Sequence, residues 1–447
     1  MINLAKLRNK HFLALSGNMV ISVLSVVMMS LLYRALSKSD VGTWFFFLSF
    51  TGLAEAIRNG FLSTATVKYF AGTDREKGET VLGSVWALAS LLTLLFLTAN
   101  GIAWLFLSHF RNPQMLLVVK WFGVTLISSL PYTITFWILV AKEDYEKILW
   151  LRLVNNGSMV VIISTLILLH KMSLENQLIL NFATNLLTSI VCIVFRLTHI
   201  TSIIKRKMET IISIAHFGKY SLATNLSSNL LSSSDTFIIT YLLGPAALAI
   251  YNLPKRLMEI VELPLRSFIG TGMSSMAAAM NNNRKEEVLH IFKKYAGMLT
   301  FAFIPIVFGG ILMADVAINI LGGEKYMGTE AANIFRMFLF FSFLYPIDRF
   351  NGVTLDILNL PKVNFHKVIA MLIVNIVADF LGVYIFKNMY GMAIASPFVM
   401  MTGLLIGHLA LKKELTYTIK DILVTGWAET KWIIQSNWQK LKGKQAI

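Results

Sequence analysis

Apolar residues run along this chain in long blocks, and charged or turn-forming residues collect in the short stretches that separate them. A block of roughly 18–25 residues crosses about 30 Å of hydrocarbon at 1.5 Å per residue, so each is read as a transmembrane helix. Twelve are expected, over 12–33, 42–66, 82–107, 115–140, 148–169, 175–197, 218–242, 247–275, 294–319, 331–354, 366–386 and 391–411. The second, eighth and tenth carry charges inside them.

Charge placement sets the orientation. Lys and Arg should gather on the cytoplasmic side of alternate loops. The N-terminus with Lys6, Arg8 and Lys10, the even loops and the tail beyond residue 411 hold 27 of them; the odd loops hold six, namely Arg34, Lys38, Arg111, Lys171, Lys325 and Lys387. Both termini are expected in the cytoplasm of a bacterial cell, with the chain in the cytoplasmic (inner) membrane and an even number of helices.

Composition agrees. The 447 residues are 56% hydrophobic and only 14% charged, which an ordinary soluble domain does not show. The net charge of +16 lies in the inter-helix segments, where topology accounts for it, and nucleic acid is not an expected partner. The one cysteine, Cys192, lies inside an apolar block, which excludes a disulfide framework and a Cys metal site. The N-terminal basic residues and apolar stretch are too long for a cleaved signal and lack a small-residue cleavage site, so the stretch is read as a retained first helix.

Two cytoplasmic pieces interrupt the pattern. Residues 201–216 combine Ile203, Ile204, Ile211, Ile212 and Ile214 with Lys205, Arg206 and Lys207, which reads as a basic amphipathic interfacial helix between two halves. The tail, 412–447, places Trp427, Trp432 and Trp438 among lysines and reads the same way. For both, the alternative is a linker or tail solvated by anionic headgroups. A shift of 207 residues pairs Leu15 with Leu222, Asn18 with Asn225, Trp44 with Tyr251, Glu55 with Glu262 and Phe61 with Phe268. That shift equals six helices and preserves orientation. The expected organisation is an N-terminal lobe over 1–200, the linker 201–216, a C-terminal lobe over 217–411 and the tail. The fold class is an all-α polytopic membrane protein with two six-helix lobes related by pseudo-two-fold symmetry.

Ionisable groups inside a bilayer face a cavity or one another. In the second span Glu55 and Arg58 are three apart, on one helix face. In the eighth, Lys255, Glu259, Glu262 and Arg266 follow a helical stripe beside Arg256, with Pro254 and Pro264 expected to bend the helix. Entry near residue 247 puts Lys255 and Arg256 about 12–14 Å deep. Lys120, Asp235, Arg336, Asp348, Arg349 and Asp379 complete the set, and Asp235 follows a polar face of Asn225, Ser228, Asn229 and Ser232. Structural salt bridges holding the lobes together are the alternative reading of each pair.

Catalytic patterns are absent. The eight histidines are scattered, against a His-based metal site, and no phosphate-binding loop of the G-x-x-x-x-G-K-[ST] type occurs, against ATP hydrolysis. No external loop is large enough to carry the acidic motifs of a membrane glycosyltransferase. An enzyme is not expected, and neither is a bound cofactor.

The junctions after the first helix of each half read Leu36-Ser37-Lys38-Ser39-Asp40-Val41-Gly42-Thr43-Trp44 and Leu243-Gly244-Pro245-Ala246-Ala247-Leu248-Ala249-Ile250-Tyr251-Asn252. They resemble the recurring L-G-x-x-x-x-G-x-Y turn of the polysaccharide transporter family. That family includes Wzx-type O-antigen flippases and belongs to the MOP (multidrug/oligosaccharidyl-lipid/polysaccharide) superfamily with MATE exporters and MurJ-type lipid flippases. The first copy has Ser37 and the second Ala249 where the family has Gly.

The resemblance implies two lobes alternating between cytoplasmic and periplasmic openings. It implies as substrate an oligosaccharide on a polyprenyl diphosphate, an O-antigen, capsule or exopolysaccharide repeat unit used in lipopolysaccharide or surface-polymer assembly. Membrane lipids and other polysaccharide-assembly membrane proteins are the implied partners. A diphosphate at mid-depth needs guanidinium or ammonium groups, and Arg58, Arg256 and Arg266, with Lys120 and Arg349, are the candidates. Glu55, Asp235, Glu259 and Glu262 are candidates for binding a coupling H⁺ or Na⁺, or for neutralising those cations. The alternative functions are a MATE-like antiporter of organic cations or drugs, and a non-transporting scaffold in which these charges serve folding alone.

Overall fold

The computed structural model describes residues 10–106 and 112–444. Lys6, Arg8, Arg111, the end of the third span at 107 and the end of the tail at 445–447 lie outside the described residues, as does the side chain of Trp438.

The described residues are almost entirely helical. Helices α1 (Lys10–Ala35), α2 (Lys38–Phe70), α3 (Arg75–Leu105), α4 (Pro113–Ala141), α5 (Tyr145–Leu168) and α6 (Leu174–Val194) match the first six expected spans. Then come α7 (Met208–Leu242), α8 (Pro245–Val261), α9 (Leu263–Asn281), α10 (Lys285–Leu312) and the short α11 (Ala314–Gly322). The chain finishes with α12 (Ala331–Ser342), α13 (Tyr345–Ile357), α14 (Pro361–Phe386), α15 (Tyr390–Glu414) and α16 (Ile419–Lys444). Among the described residues, seven helices are long and apolar enough by composition to cross a membrane, and Met19–Ala35 and Ala331–Ser342 are shorter apolar segments.

Local chemistry explains where the helices start. Ser37, Asp74, Asn112, Asp144 and Ser173 each accept a hydrogen bond from a backbone N–H two or three residues on, filling a donor the helix leaves open. Two expectations need correction. The eighth span is two helices, not one bent helix. Pro254 sits within α8 without ending it, and the break falls at Glu262 because Pro264 occupies the first turn of α9, where its missing N–H is harmless. The tenth span likewise breaks at Phe343 and Leu344, with Pro346 in the first turn of α13.

The chain divides into two compact units, Met1–Thr236 with Gly244–Ala249, and Phe237–Leu243 with Ile250–Ile447. In the first unit α4 packs against α2, α3 and α6. Leu62, Val85, Trp86, Trp137 and Ile138 lie in its core. The stretch 201–216, expected as one interfacial helix, is split between a 3-10 turn over Ile200–Lys205 and the start of α7. Its isoleucines divide accordingly: Ile214 enters the core beside Ile203 and Ile211, while Ile204 and Ile212 stay exposed. The turn sits against α3 because Gly83 has no side chain. A Cβ there would lie 2.0 Å from the Ser202 carbonyl oxygen, and the Trp86 indole donates to the Thr198 carbonyl at 2.8 Å. At the edge of this surface Lys142 Nζ lies 3.2 Å from His199 Nε2. Burial and the neighbouring ammonium hold His199 below its ordinary value, so the neutral ring accepts from the lysine.

In the second unit Met276, Phe292, Phe303, Phe350, Leu411 and Ile422 form the core. Helix α16 lies on α10 with backbone against backbone: a Cβ on Gly297 would stand 2.2 Å from the Ile422 carbonyl oxygen and 2.7 Å from the Gly426 Cα. Lys294 pairs with Glu429 at 2.8 Å beside this crossing, and Trp427 and Trp432 remain exposed. Amphipathic tail residues thus dock through their small face and leave their aromatic face outward.

Candidate functional site

Each unit carries its own charged cluster. In the first, Arg58 of α2 is 1% exposed and Glu55, one turn earlier, 25%. The guanidinium binds both Glu55 oxygens, and it also donates to Ser129 Oγ (3.0 Å), the Leu126 carbonyl (3.2 Å), Thr133 Oγ1 (3.3 Å) and Thr93 Oγ1 (3.4 Å). Ser129 in turn donates to Glu55 at 2.8 Å. All of the guanidinium's donors point at protein acceptors from α2, α3 and α4, so in this conformation Arg58 has none to offer a diphosphate. It holds three helices together through Glu55.

Lys120 is exposed about 10 Å into α4, on the face that carries exposed Val124 and Ile127, and makes no ion pair with a described residue. Asp235 is half-buried on α7, and along the same helix Asn225 and Asn229 turn their amides back onto backbone carbonyls at 2.9 and 2.8 Å.

The second unit gathers the other candidates at its two helix breaks. Glu262, at the break between α8 and α9, is 14% exposed and stands 3.6 Å from Arg266 and 3.7 Å from Arg349. Arg266 lies in the first turns of α9 and Arg349 in those of α13, and they are 61% and 55% exposed. One shielded carboxylate therefore balances two open guanidiniums, each beside the positive end of a helix. Six residues before Glu262, on α8, Arg256 donates to both Glu259 oxygens at 2.9 Å, and that pair is partly exposed. Lys255 is half-buried.

Sequence reasoning missed the partner of Asp348. Adjacent residues on a helix face different ways, so Asp348 and Arg349 do not pair. Asp348 instead meets Lys367 Nζ at 2.7 Å, and Lys367, counted with the loop charges, lies buried in the second turn of α14. Asp379 is also buried, accepting from Asn375 Nδ2 at 2.8 Å. The i,i+4 spacing of Asn375 and Asp379 in the sequence was the available signal. Arg336 pairs with Asp315 and donates to the Ile311 carbonyl at 3.3 Å near a helix end. Among the described residues no group of three or more His, Cys, Asp or Glu side chains is placed to hold a metal ion.

The family described as polysaccharide biosynthesis protein matches residues 31–331, two thirds of the sequence and all the elements from the end of α1 to the start of α12. The chain belongs to the polysaccharide biosynthesis protein family. A search of curated protein sequences returns no match. Among solved structures the chain is similar to the lipid II flippase MurJ in its inward closed conformation, at 17% identity, with 93% of this chain and 90% of that one covered and a TM-score of 0.72. It is similar to the inward-facing form of a multidrug resistance MATE family transporter at 15% identity, 91% and 99% coverage and a TM-score of 0.72. A MOP superfamily transporter from Pyrococcus furiosus gives 16%, 90% and 94%, and 0.58. At these identities the likeness is one of fold. This family member is a polytopic helical membrane protein with the fold of those MOP superfamily structures.

Proposed function

We propose that the chain is a secondary-active flippase that moves a polyprenyl-diphosphate-linked oligosaccharide from the cytoplasmic to the periplasmic leaflet by alternating access. The observation that carries the reading is Glu262 held beside Arg266 and Arg349. Two guanidiniums more than half exposed, next to two helix N-termini, match a diphosphate in charge and in bidentate geometry. Arg256 lies six residues earlier on α8, with Glu259 as its counter-charge. An organic cation would meet net positive charge there, which disfavours the exporter reading.

In this mechanism Glu262 keeps both arginines in place while the site is empty. Loading exchanges that hold for contacts of both guanidiniums with the phosphates, and release restores it. Glu262 is itself a candidate for the coupling H⁺ or Na⁺. Glu55 serves the Arg58 cluster, and Glu259 and Asp235 are the remaining candidates for H⁺ or Na⁺. Twenty-seven basic residues against six on alternate sides support cytoplasmic termini in a bacterial inner membrane. No covalent chemistry is assigned to the chain.

The test is complementation in a bacterium that lacks its own flippase and whose repeat-unit sugars match those of this protein's host. Wild type is expected to restore surface polysaccharide. Failure there, together with reduced accumulation of a cationic dye in an efflux-deficient strain, overturns the flippase and establishes the exporter.

A further inference from the structure

The first unit contains a second polar region, built of neutral side chains other than those of its Glu55–Arg58 cluster. Helix α5 is interrupted by a π-turn over Leu153–Gly157, which holds Asn155 and Asn156. Asn155 lies about 15 Å from the start of α5 at 1.5 Å per residue, near the middle of a hydrocarbon core about 30 Å thick. π-turns fit an extra residue into the helix and tend to mark sites of function. Here the Asn155 amide turns toward α6, reaching Thr188 Oγ1 (3.1 Å), the Thr184 carbonyl (3.3 Å) and Asn185 Oδ1 (3.3 Å), while Asn156 folds back on the Arg152 carbonyl at 3.2 Å.

On α6, Gln177, Asn181, Thr184, Asn185 and Thr188 share one face at i, i+4, i+7, i+8 and i+11. Asn181 and Asn185 stand at the depth of Asn155 and, like it, are half-buried. The hydrogen-bond inventory of this band is incomplete. Gln177 is 0% exposed and neither its Oε1 nor its Nε2 has a partner. The side-chain amide of Asn181, the Asn185 Nδ2 and the Asn155 and Asn156 Oδ1 atoms also find no partner among the described residues. Unpaired amides inside a membrane cost several kcal/mol each unless something polar fills the space.

The shortfall includes both donors and acceptors, and all of them are neutral. Arg152, the nearest cation along α5, is engaged over the Phe136 ring at 4.9 Å. A diphosphate needs cations, whereas hydroxyl and acetamido groups each donate and accept, as these amides do. We propose that the α5–α6 amide band is a subsite for the sugar portion of the substrate, taking neutral hydroxyl-rich or N-acetylated sugar units. This rests on the flippase reading above.

The experiment measures binding of two probes to the purified full-length chain in nanodiscs: undecaprenyl diphosphate, and the same lipid carrying the host's repeat unit. Wild type is expected to favour the sugar-bearing lipid. Asn181→Leu and Asn185→Leu are expected to cut that preference about tenfold, the worth of one or two hydrogen bonds, with undecaprenyl diphosphate binding unchanged. Asn155 is left intact because it joins the two helices. In a Cys192→Ser background, alkylation of Asn181→Cys is expected to slow with the sugar-bearing lipid and not with undecaprenyl diphosphate. Full sugar preference in folded leucine variants, or equal alkylation with both lipids, overturns the subsite. A wild type that binds undecaprenyl diphosphate without sugar preference overturns the subsite and leaves the carrier reading standing. A wild type that binds neither lipid overturns the flippase reading itself.

Discussion

Arg58→Ala is expected to cost folding rather than transport alone. The substitution leaves the Glu55 carboxylate among Ser129 and its neighbours without its cation, and removes a donor set that ties α2 to α3 and α4. Breaking a buried ion pair from one side costs about 3–5 kcal/mol, because the remaining charge is uncompensated. Little folded monomer should survive detergent extraction, and what does should melt well below wild type. Removing both charges at once, in Glu55→Gln with Arg58→Met, should recover a good part of that loss, since no lone charge is then buried. A fully stable Arg58→Ala that fails only in carrier binding would contradict the structural role and return Arg58 to the ligand set.

The opposite result is expected at the helix breaks. Arg266→Ala and Arg349→Ala remove exposed guanidiniums that share one partly shielded carboxylate, so stability should change by less than about 1 kcal/mol. Charge-assisted hydrogen bonds to a phosphate contribute about 1.5–3 kcal/mol each, so either variant should bind undecaprenyl diphosphate roughly ten- to a hundredfold more weakly. The double variant should lose measurable binding. Arg349→Lys should recover only part, since a lysine offers a point charge in place of a fork. Glu262→Gln, which removes the counter-charge of both arginines, should bind the lipid at least as tightly as wild type. Unchanged affinity in the double arginine variant would remove the diphosphate site from this place.

The helices were legible because a bilayer allows few alternatives: a backbone in hydrocarbon must satisfy itself, so apolar length located the seven described helices long enough to cross and missed the breaks in the eighth and tenth expected spans. The breaks at Glu262 and at Phe343 and Leu344 were legible only as proline signals, because sequence does not say whether a proline bends a helix or begins one. Pro254 and Pro264 look alike in the sequence, and the fold uses one inside a helix and the other in a first turn. For the charges, i,i+3 and i,i+4 spacing found Glu55 with Arg58 and Glu262 with Arg266, but put Lys255 on the stripe with Glu259, where the structure pairs Arg256. Pairs formed between helices stayed hidden. Asp348 with Lys367 and Glu262 with Arg349 depend on which faces meet, and no local pattern carries that. The same limit applies to function: Arg58 and Arg349 are both intramembrane arginines near an acid, and only burial separates a guanidinium with every donor used from one with donors to spare.

The central claim is that this chain carries a lipid-linked oligosaccharide across the bilayer, and proteoliposomes test it directly. A fluorescent undecaprenyl-diphosphate oligosaccharide is confined to one leaflet, a proton gradient is imposed, and the fraction that becomes accessible to an impermeant quencher on the other side is followed in time. The account predicts gradient-dependent transfer by wild type, and transfer near the protein-free rate for the double variant Arg266→Ala with Arg349→Ala. Transfer by wild type no faster than by empty liposomes, with the protein folded and the gradient intact, would contradict it.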